Sequence, residues 1–334
     1  MESDTKGKFT KVYDIRSSEM GPDYRLKNES AARYFQECFA QYCTSKHLAA
    51  FHISKDHLKW IITEMNIEFL DQMPRWSENV LVEVWLSEVK RYRLYVDFQL
   101  LYQGKVITRG DSSWYILNSE TGRPANVSDI ASRFELLPEL TLGSRQKNSF
   151  APEEGTAAEP FGEQRHKVTF FDLDFNYHVN NLCYTAIAFN PLPVEFLNKN
   201  ILSSYSVKYI RETFLNDELY CRVQRQGDTL FHQLYDKKDD AEVCLLRSNW
   251  IPVSPKPRHR TTVSPKERSS AVKQLPVPES TLHRDGPIRK ESPLSRSGSA
   301  LHPSTYNGGS AVLPVTEAAP RTRRLGIAAG LLPH

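Results

Sequence analysis

Asp174, Asn176 and His178 recur at a spacing of two within Phe171-Asp-Leu-Asp-Phe-Asn-Tyr-His-Val-Asn-Asn181. If the chain is extended there, the three side chains share one face. The apolar spacing of Val179, Leu182, Cys183, Ala186 and Ile187 then predicts a helix over about Val179–Phe189, ended by Pro191 and Pro193. His178 would sit at the helix start, where unpaired N–H groups and the helix dipole favour negative charge. An imidazole is titratable near neutral pH. The backbone N–H groups of Val179, Asn180 and Asn181 are candidate donors to an oxyanion. Together these are what general-base hydrolysis of an acyl group such as a thioester requires. Asp, Asn and His before a helix are also ordinary turn and capping residues, so spacing alone leaves both readings open.

The elements around this segment read as one pattern written twice. The first copy opens with an extended run, Phe9–Arg16, and a turn at Gly21-Pro22; Asn28 is placed as the N-cap of a helix with Ala31, Phe35, Cys38, Phe39 and Tyr42 as its apolar stripe. Strands are predicted at about Trp60–Phe69, Asn79–Val89, Tyr92–Tyr102 and Lys105–Leu117. The second copy repeats the order. An extended run at Lys167–Phe171 precedes the helix, and strands follow at Ser204–Arg211, Glu218–Arg225, Thr229–Tyr235 and Glu242–Trp250. Arg109-Gly-Asp-Ser-Ser-Trp114 and Arg247-Ser-Asn-Trp250 echo each other at the copies' last strands. The expected fold is α+β: two antiparallel sheets, each wrapping one helix, joined edge to edge into a continuous sheet. The copies occupy 1–143 and 165–253, separated by a linker at 144–164 without periodicity. The stretch of the first copy matching the polar segment, Ser17–Tyr24, has no His and no Asn. A structural cap can recur in both copies, whereas a site needs to appear once.

Residues 254–334 differ in kind. They hold 11 of the 20 prolines and a single aromatic, Tyr306, so they cannot bury enough apolar area to offset their ordering and are read as a disordered, basic Pro/Ser-rich tail. The formal net charge of +3 hides an asymmetry: the tail carries +8 and the rest −5. The folded part therefore offers no general attraction for nucleic acid. Five scattered cysteines without a CxxC pair argue against a disulfide framework and a metal site. No cofactor motif is present. Met1–Lys8 resembles neither a secretory signal nor a transit peptide, and no apolar run approaches the roughly 20 residues of a membrane span. A cytoplasmic location is expected.

Asp172-Leu-Asp-x-Asn-x-His-Val-Asn-Asn181 followed by x-x-Tyr184 resembles the signature of the acyl-ACP thioesterase family. The resemblance extends to Tyr13-x-Ile-Arg16, Glu19-x-Gly-Pro-Asp23, Trp60-x-x-x-x-Met65, the run Trp114–Pro124 and Tyr209-Ile-Arg-Glu-x-x-x-x-Asp217, and covers roughly Phe9 to Pro252. It implies a tandem (double) hotdog, acyl-ACP as substrate, and catalytic roles at Asp174, Asn176, His178 and Glu212. Glu212 and His178 would activate or orient water, with the choice of base open. Asn176 would position water or carbonyl, and Asp174 would hold Asn176 and His178. Plant members often have Cys after the Glu; here Thr213 stands there, which favours general-base hydrolysis over a Cys acyl-enzyme. The resemblance also implies an acidic acyl carrier protein as partner, and a homodimer is compatible with it. An acyl-CoA thioesterase and a non-catalytic acyl-binding module remain the alternative readings.

Cys183 lies on the apolar stripe and reads as a packed thiol. His47, His52, His166 and His232 lack metal-ligand spacing. Lys90-Arg-Tyr-Arg93 could meet the acidic carrier or simply be a solvated strand end. Phe35, Phe39, Trp60, Ile62 and Phe69 are the candidates for the acyl-chain surface in the first copy.

Overall fold

The structure is a computed structural model that describes residues 7–142 and 148–253. The tail expected at 254–334 lies outside the described residues. Eleven strands form one sheet: β1 (Phe9–Asp14), β2 (Leu58–Phe69), β3 (Asn79–Lys90), β4 (Arg93–Tyr102), β5 (Lys105–Asn118), β6 (Arg123–Pro124), β7 (Glu159–Lys167), β8 (Asn200–Tyr209), β9 (Glu218–Gln226), β10 (Thr229–Asp236) and β11 (Ala241–Pro252). The helices are α1 (Ala31–Ser45), α2 (Ala50–Ile53), α3 (Ser128–Ala131), α4 (Asn181–Phe189) and α5 (Val194–Leu197).

Strand order is β1-β3-β4-β5-β2-β8-β11-β10-β9-β7, with the short β6 on β5, and the pairings are antiparallel. Read from either end, the order is the same: first extended strand, then the three-strand meander, then the strand that follows the helix. The two halves meet where β2 pairs β8, from Glu64↔Lys208 to Glu68↔Ser204. Each long helix packs on its own half: α1 on β1, β3 and β4, α4 on β9, β10 and β11.

The apolar stripe of α1 is buried as its spacing predicts, with Ala31, Phe35, Cys38, Phe39 and Tyr42 in the core. Phe35 stacks on Phe98 of β4, ring centroids 4.0 Å apart. A Cβ at Gly110 would lie 2.5 Å from that same Phe98 ring and 2.0 Å from the Asn66 carbonyl oxygen. Only glycine allows β5 to pass there between the ring and β2. At the seam, the Asn148 amide donates to Asn66 Oδ1 (2.8 Å) and Ser206 Oγ (2.9 Å), and so bridges the paired strands.

The echoed strand motifs have a shared structural purpose. Trp114 Nε1 donates to Ser112 Oγ in the first half and Trp250 Nε1 to Ser248 Oγ in the second, both at 2.9 Å. In the second half the relay continues. Ser248 Oγ lies 2.8 Å from His232 Nε2, and His232 Nδ1 lies 2.8 Å from the Ala188 carbonyl of α4. The carbonyl only accepts, so Nδ1 carries the proton and Nε2 accepts from Ser248. This buried relay ties β10 and β11 to the helix.

Three local expectations are corrected. Asn28 is not an N-cap: it lies in a 3-10 turn ahead of α1, and its amide donates to Leu202 O at 2.6 Å instead. β7 begins at Glu159, inside the stretch read as linker, because Pro160 and Gly162 sit at a register shift on an edge strand, where both are tolerated. The second helix begins at Asn181 rather than Val179, since Asn180 takes the N-cap, its side chain accepting from Leu182 N at 3.0 Å.

Burial pushes the His232 pKa down from 6.5 to about 4, partly offset by the Ala188 bond. The unfolded chain protonates this ring below 6.5 while the native chain does not until about 4. Stability from the neutral ring is therefore complete above that window and falls as pH drops through it. Urea unfolding at pH 7 and pH 5 should show the native protein losing about 1.4 kcal/mol per pH unit within the window, relative to a His232→Gln variant. Parallel pH dependence in the two proteins would refute a neutral buried ring.

Candidate active site

Asp174, Asn176 and His178 do not lie on an extended strand. Leu173 and Val179 pair across a tight turn in which Asp174 N donates to His178 O (2.8 Å) and Tyr177 N to Asp174 O (3.0 Å). Asp174 caps the turn from within: its Oδ1 accepts from Asn176 N at 2.7 Å and its Oδ2 from the Asn176 side chain at 3.4 Å. These side-chain bonds, those of an Asx turn, add to the main-chain bonds that close it. Tyr177 takes a left-handed conformation, φ 60°. The turn brings the Asp174 carboxylate onto Asn176 by folding rather than by alternation, and Asp174 meets His178 through main-chain groups, Asp174 N to His178 O.

Glu212 comes from the loop after β8. His178 Nδ1 stands 3.3 Å from Glu212 Oε1, with the imidazole largely buried and the carboxylate half exposed. The ring also meets Phe214 edge-on, centroids 5.2 Å apart. Burial pushes the Glu212 carboxyl up, but the His178 contact and the charges of His178 and Lys59 outweigh it, leaving the pKa below its ordinary value. Glu212 thus stays ionised through neutral and mildly acidic pH. Its negative charge is felt by Tyr115 of β5, whose hydroxyl is pushed up to about 12 by burial and by Glu212, against Arg93. Lys59, Arg93 and Tyr115 belong to the first half, so the surroundings of the carboxylate are composite.

Two oxyanion candidates are already engaged. Val179 N donates to Thr213 O at 2.9 Å and Asn180 N to Asp172 O at 2.8 Å. The expectation for these two is overturned, because the bonds that hold the turn consume them. Asn181 N, in the first turn of α4, is the remaining candidate. Cys183 is half-buried, and its thiol is raised by burial and by Asp172 and Asp174, opposed only by Arg33. It is poorly suited to forming a thiolate. His166 pairs with Asp172 (3.1 Å), and among the described residues no group of His, Cys, Asp or Glu could hold a metal ion. Phe35 and Phe39 are packed against other rings, Phe39 touching Trp60 and Trp114, and Phe69 meets Tyr205 across the seam.

The first half builds the same loop pair without these groups. Met20 pairs with Leu26, Gly21 N donates to Arg25 O, Tyr24 N to Gly21 O, and Tyr24 is left-handed at φ 61°. Lys27 N bonds Glu19 O as Asn180 N bonds Asp172 O, and Leu26 N bonds Pro74 O as Val179 N bonds Thr213 O, both at 2.9 Å. In this register Gly21, Asp23 and Arg25 stand where Asp174, Asn176 and His178 stand, and Met73 stands for Glu212. The backbone does not need the quartet in order to fold.

Sequence reasoning missed Thr213, Tyr184 and Asp172 as the groups that hold these loops. Asp172 and Tyr184 lie in the signature stretch and Thr213 follows Glu212, but nothing in the sequence marks them as bonded to these loops.

Around the pair, Phe170, Phe171, Phe175, Tyr177, Phe214 and Leu215 are exposed, Phe171 at 94%. They come from two loops joined by Val179 N→Thr213 O and Asn216 N→Val168 O, so they form one apolar rim.

Two family models match: the acyl-ACP thioesterase N-terminal domain over residues 6–133 and the C-terminal domain over 155–252. A chloroplastic acyl-[acyl-carrier-protein] hydrolase of Cuphea viscosissima is 26% identical over 259 residues, 73% of this chain and 62% of that protein. A chloroplastic palmitoyl-acyl carrier protein thioesterase of Gossypium hirsutum is 26% identical over 266 residues, 73% of this chain and 64% of that protein. The chain thus spans under two thirds of the length of these curated relatives. Among solved structures, a 12:0-ACP thioesterase from Umbellularia californica has a TM-score of 0.64 at 24% identity, covering 74% of this chain and 98% of that one. An acyl-ACP thioesterase from Bacteroides thetaiotaomicron has a TM-score of 0.62 at 19% identity, covering 75% and 100%. The folds agree with the tandem arrangement.

Replacing Asp174 by Ala should remove the turn's internal cap while leaving the core intact. Amide exchange at Asn176 and Tyr177 is expected to speed up roughly tenfold, from loss of bonds worth about 1 kcal/mol each, with little change in melting temperature. Unchanged exchange would mean that the turn holds without Asp174.

Proposed function

The chain belongs to the acyl-ACP thioesterase family, and from that premise we propose that it hydrolyses the thioester of fatty acyl-acyl carrier protein, releasing free fatty acid. The observation that carries this reading is the contrast between the halves: one loop architecture built twice, with Asp174, Asn176, His178 and Glu212 present in one copy only.

His178 Nδ1 faces a carboxylate, which only accepts, so Nδ1 carries the proton and Nε2 offers the lone pair. His178 is then the base, and Glu212 orients the ring and stabilises its charged form. Water loses a proton to Nε2 and attacks the thioester carbon. The oxyanion draws on Asn181 N–H and on the amide of Asn176, which Asp174 holds in place. Collapse expels the pantetheine thiolate, which takes the proton back from His178, and the acid departs.

Lys59, Arg93 and Lys208 place positive charge beside Glu212 and Glu64. They supply a basic approach for an acidic carrier, and the aromatic rim receives its apolar cargo. Five free cysteines, four of them buried, fit a reducing compartment such as the cytoplasm; no helix among the described residues is long and apolar enough to cross a membrane.

Hydrolysis of lauroyl-, palmitoyl- and oleoyl-acyl carrier protein, compared with the matching CoA esters, tests the substrate. A strong preference for CoA esters would overturn the carrier. His178→Ala and Glu212→Gln should each lower kcat by about 100-fold or more. Glu212 is held below the ordinary carboxyl value of 4.5, so an acid limb of kcat at or below that pH would transfer the base role to Glu212.

Lys59→Glu should raise KM for acyl carrier protein several-fold at low salt, with the effect fading at 1 M salt, where screening shortens to about 3 Å. A salt-independent KM would remove Lys59 from the docking surface.

A further inference from the structure

We infer that the buried hydroxyl pair Tyr184–Thr213 is a positioning device that sets the distance between Glu212 and His178; this rests on reading those two as the hydrolytic pair. Thr213 is fully buried and Tyr184 nearly so. Every polar group of Thr213 is engaged. Its Oγ1 lies 2.8 Å from Tyr184 OH, its N–H donates to the same phenol oxygen at 3.2 Å, and its carbonyl accepts from Val179 N at 2.9 Å. The residue after Glu212 is therefore bonded to the residue after His178, and both are referred to α4.

The other neighbour of Glu212 is fixed as well. Arg211 reaches Asp236 at 2.7 Å and Asp239 at 2.8 Å, and its N–H donates to Val243 O. Glu212 is thus a half-exposed side chain between two anchored residues. Because the Thr213 hydroxyl is enclosed and already bonded, it neither reaches a substrate nor serves as a nucleophile.

The first half supplies the control that separates positioning from folding. There the backbone bond is kept, Leu26 N to Pro74 O at 2.9 Å, but Pro74 has neither hydroxyl nor N–H. In the register of the two turns the counterpart of Tyr184 is Ala31, at the start of α1. The loops close without a hydroxyl pair where no carboxylate and imidazole need aligning. The pair occurs where they do. A misplacement of about 1 Å at a reacting group, caused by a change away from the chemistry, can cost about 100-fold in rate.

The test uses Thr213→Val, which keeps the shape and loses the hydroxyl, Thr213→Ser, which keeps the hydroxyl, and Tyr184→Phe. Thr213→Val and Tyr184→Phe should each lower kcat on acyl carrier protein by about 10-fold or more, with KM within about twofold, and the double variant should lose little more than either alone. Thr213→Ser should restore most of the rate. Independently of turnover, the imidazole NMR chemical shifts of His178 at a fixed pH should move in Thr213→Val toward those of Glu212→Gln. If Thr213→Val fails to fold, Tyr184→Phe carries the same two readouts. Wild-type kcat and unmoved His178 signals in the folded variants would overturn the positioning role. If the signals move while His178→Ala and Glu212→Gln still hydrolyse at the wild-type rate, the hydrolytic reading fails and the positioning contact stands.

Discussion

The short antiparallel pairing of β2 with β8 is the constraint on which the rest of the molecule depends. Each half alone would end on an unpaired strand, a row of open N–H and C=O groups prone to unwanted pairing. Joining the two edges satisfies both at once. It also does something neither half can do for itself. The strand that leaves the seam on the first side carries Lys59, whose charge acts on the Glu212 carboxylate that leaves the seam on the other side, and β5 beside it carries Tyr115, whose hydroxyl feels that carboxylate in turn. The charge balance at Glu212 is a property of the junction. Asn148, bonded to the paired residues Asn66 and Ser206, reinforces that junction from outside the sheet.

A symmetric backbone can hold an asymmetric site because the hydrogen bonds that shape its loops are made by main-chain groups. Both turns close through N–H to C=O bonds, both tolerate a left-handed Tyr, and both bond the strand-exit loop through a residue that differs between the halves. Side chains at the turn positions are then free to vary. In one half they are Gly21, Asp23 and Arg25, with Arg25 donating to Met73 O at 2.8 Å. In the other they are Asp174, Asn176 and His178. The divergence follows physical logic: an imidazole can exchange a proton near neutral pH, whereas a guanidinium cannot.

The repeat, the strands and the two helices were legible because alternation and helical spacing are properties of the buried faces, and both halves bury theirs strongly. Arg109–Trp114 and Arg247–Trp250 are visible as an echo, although only the fold discloses the shared Trp-to-Ser bond. The turn at Asp174 was misread for a definite reason. A spacing of two fits a strand and a tight turn equally well, and the bonds that close the turn, from Asp174 N to His178 O and from Tyr177 N to Asp174 O, involve no side-chain periodicity. The same applies to Val179 and Asn180. Sequence places their N–H groups near a helix start, but cannot tell that Thr213 and Asp172 have claimed them. Glu212 lies too far along the chain for any local pattern to link it to His178, and resemblance alone pointed there.

The two kinds of residue at the site obey opposite requirements. On the proposed hydrolysis, water and a thioester would have to reach the imidazole and the carboxylate; Glu212 is half exposed, and exposed aromatic side chains lie on the two loops that carry the pair. An exposed side chain on a loop is ordinarily mobile, and a mobile carboxylate would orient the ring only part of the time. The conflict is resolved one residue away. Thr213 and Arg211 are held by bonds that solvent reaches poorly, so they restrict the backbone of Glu212 without covering its side chain. His178 is treated likewise, with Val179 buried and bonded next to it. On the proposed function, rigidity is supplied at the neighbours and access at the candidate groups. The buried polar residues beside the motif would then matter to the chemistry as much as the motif's own spacing.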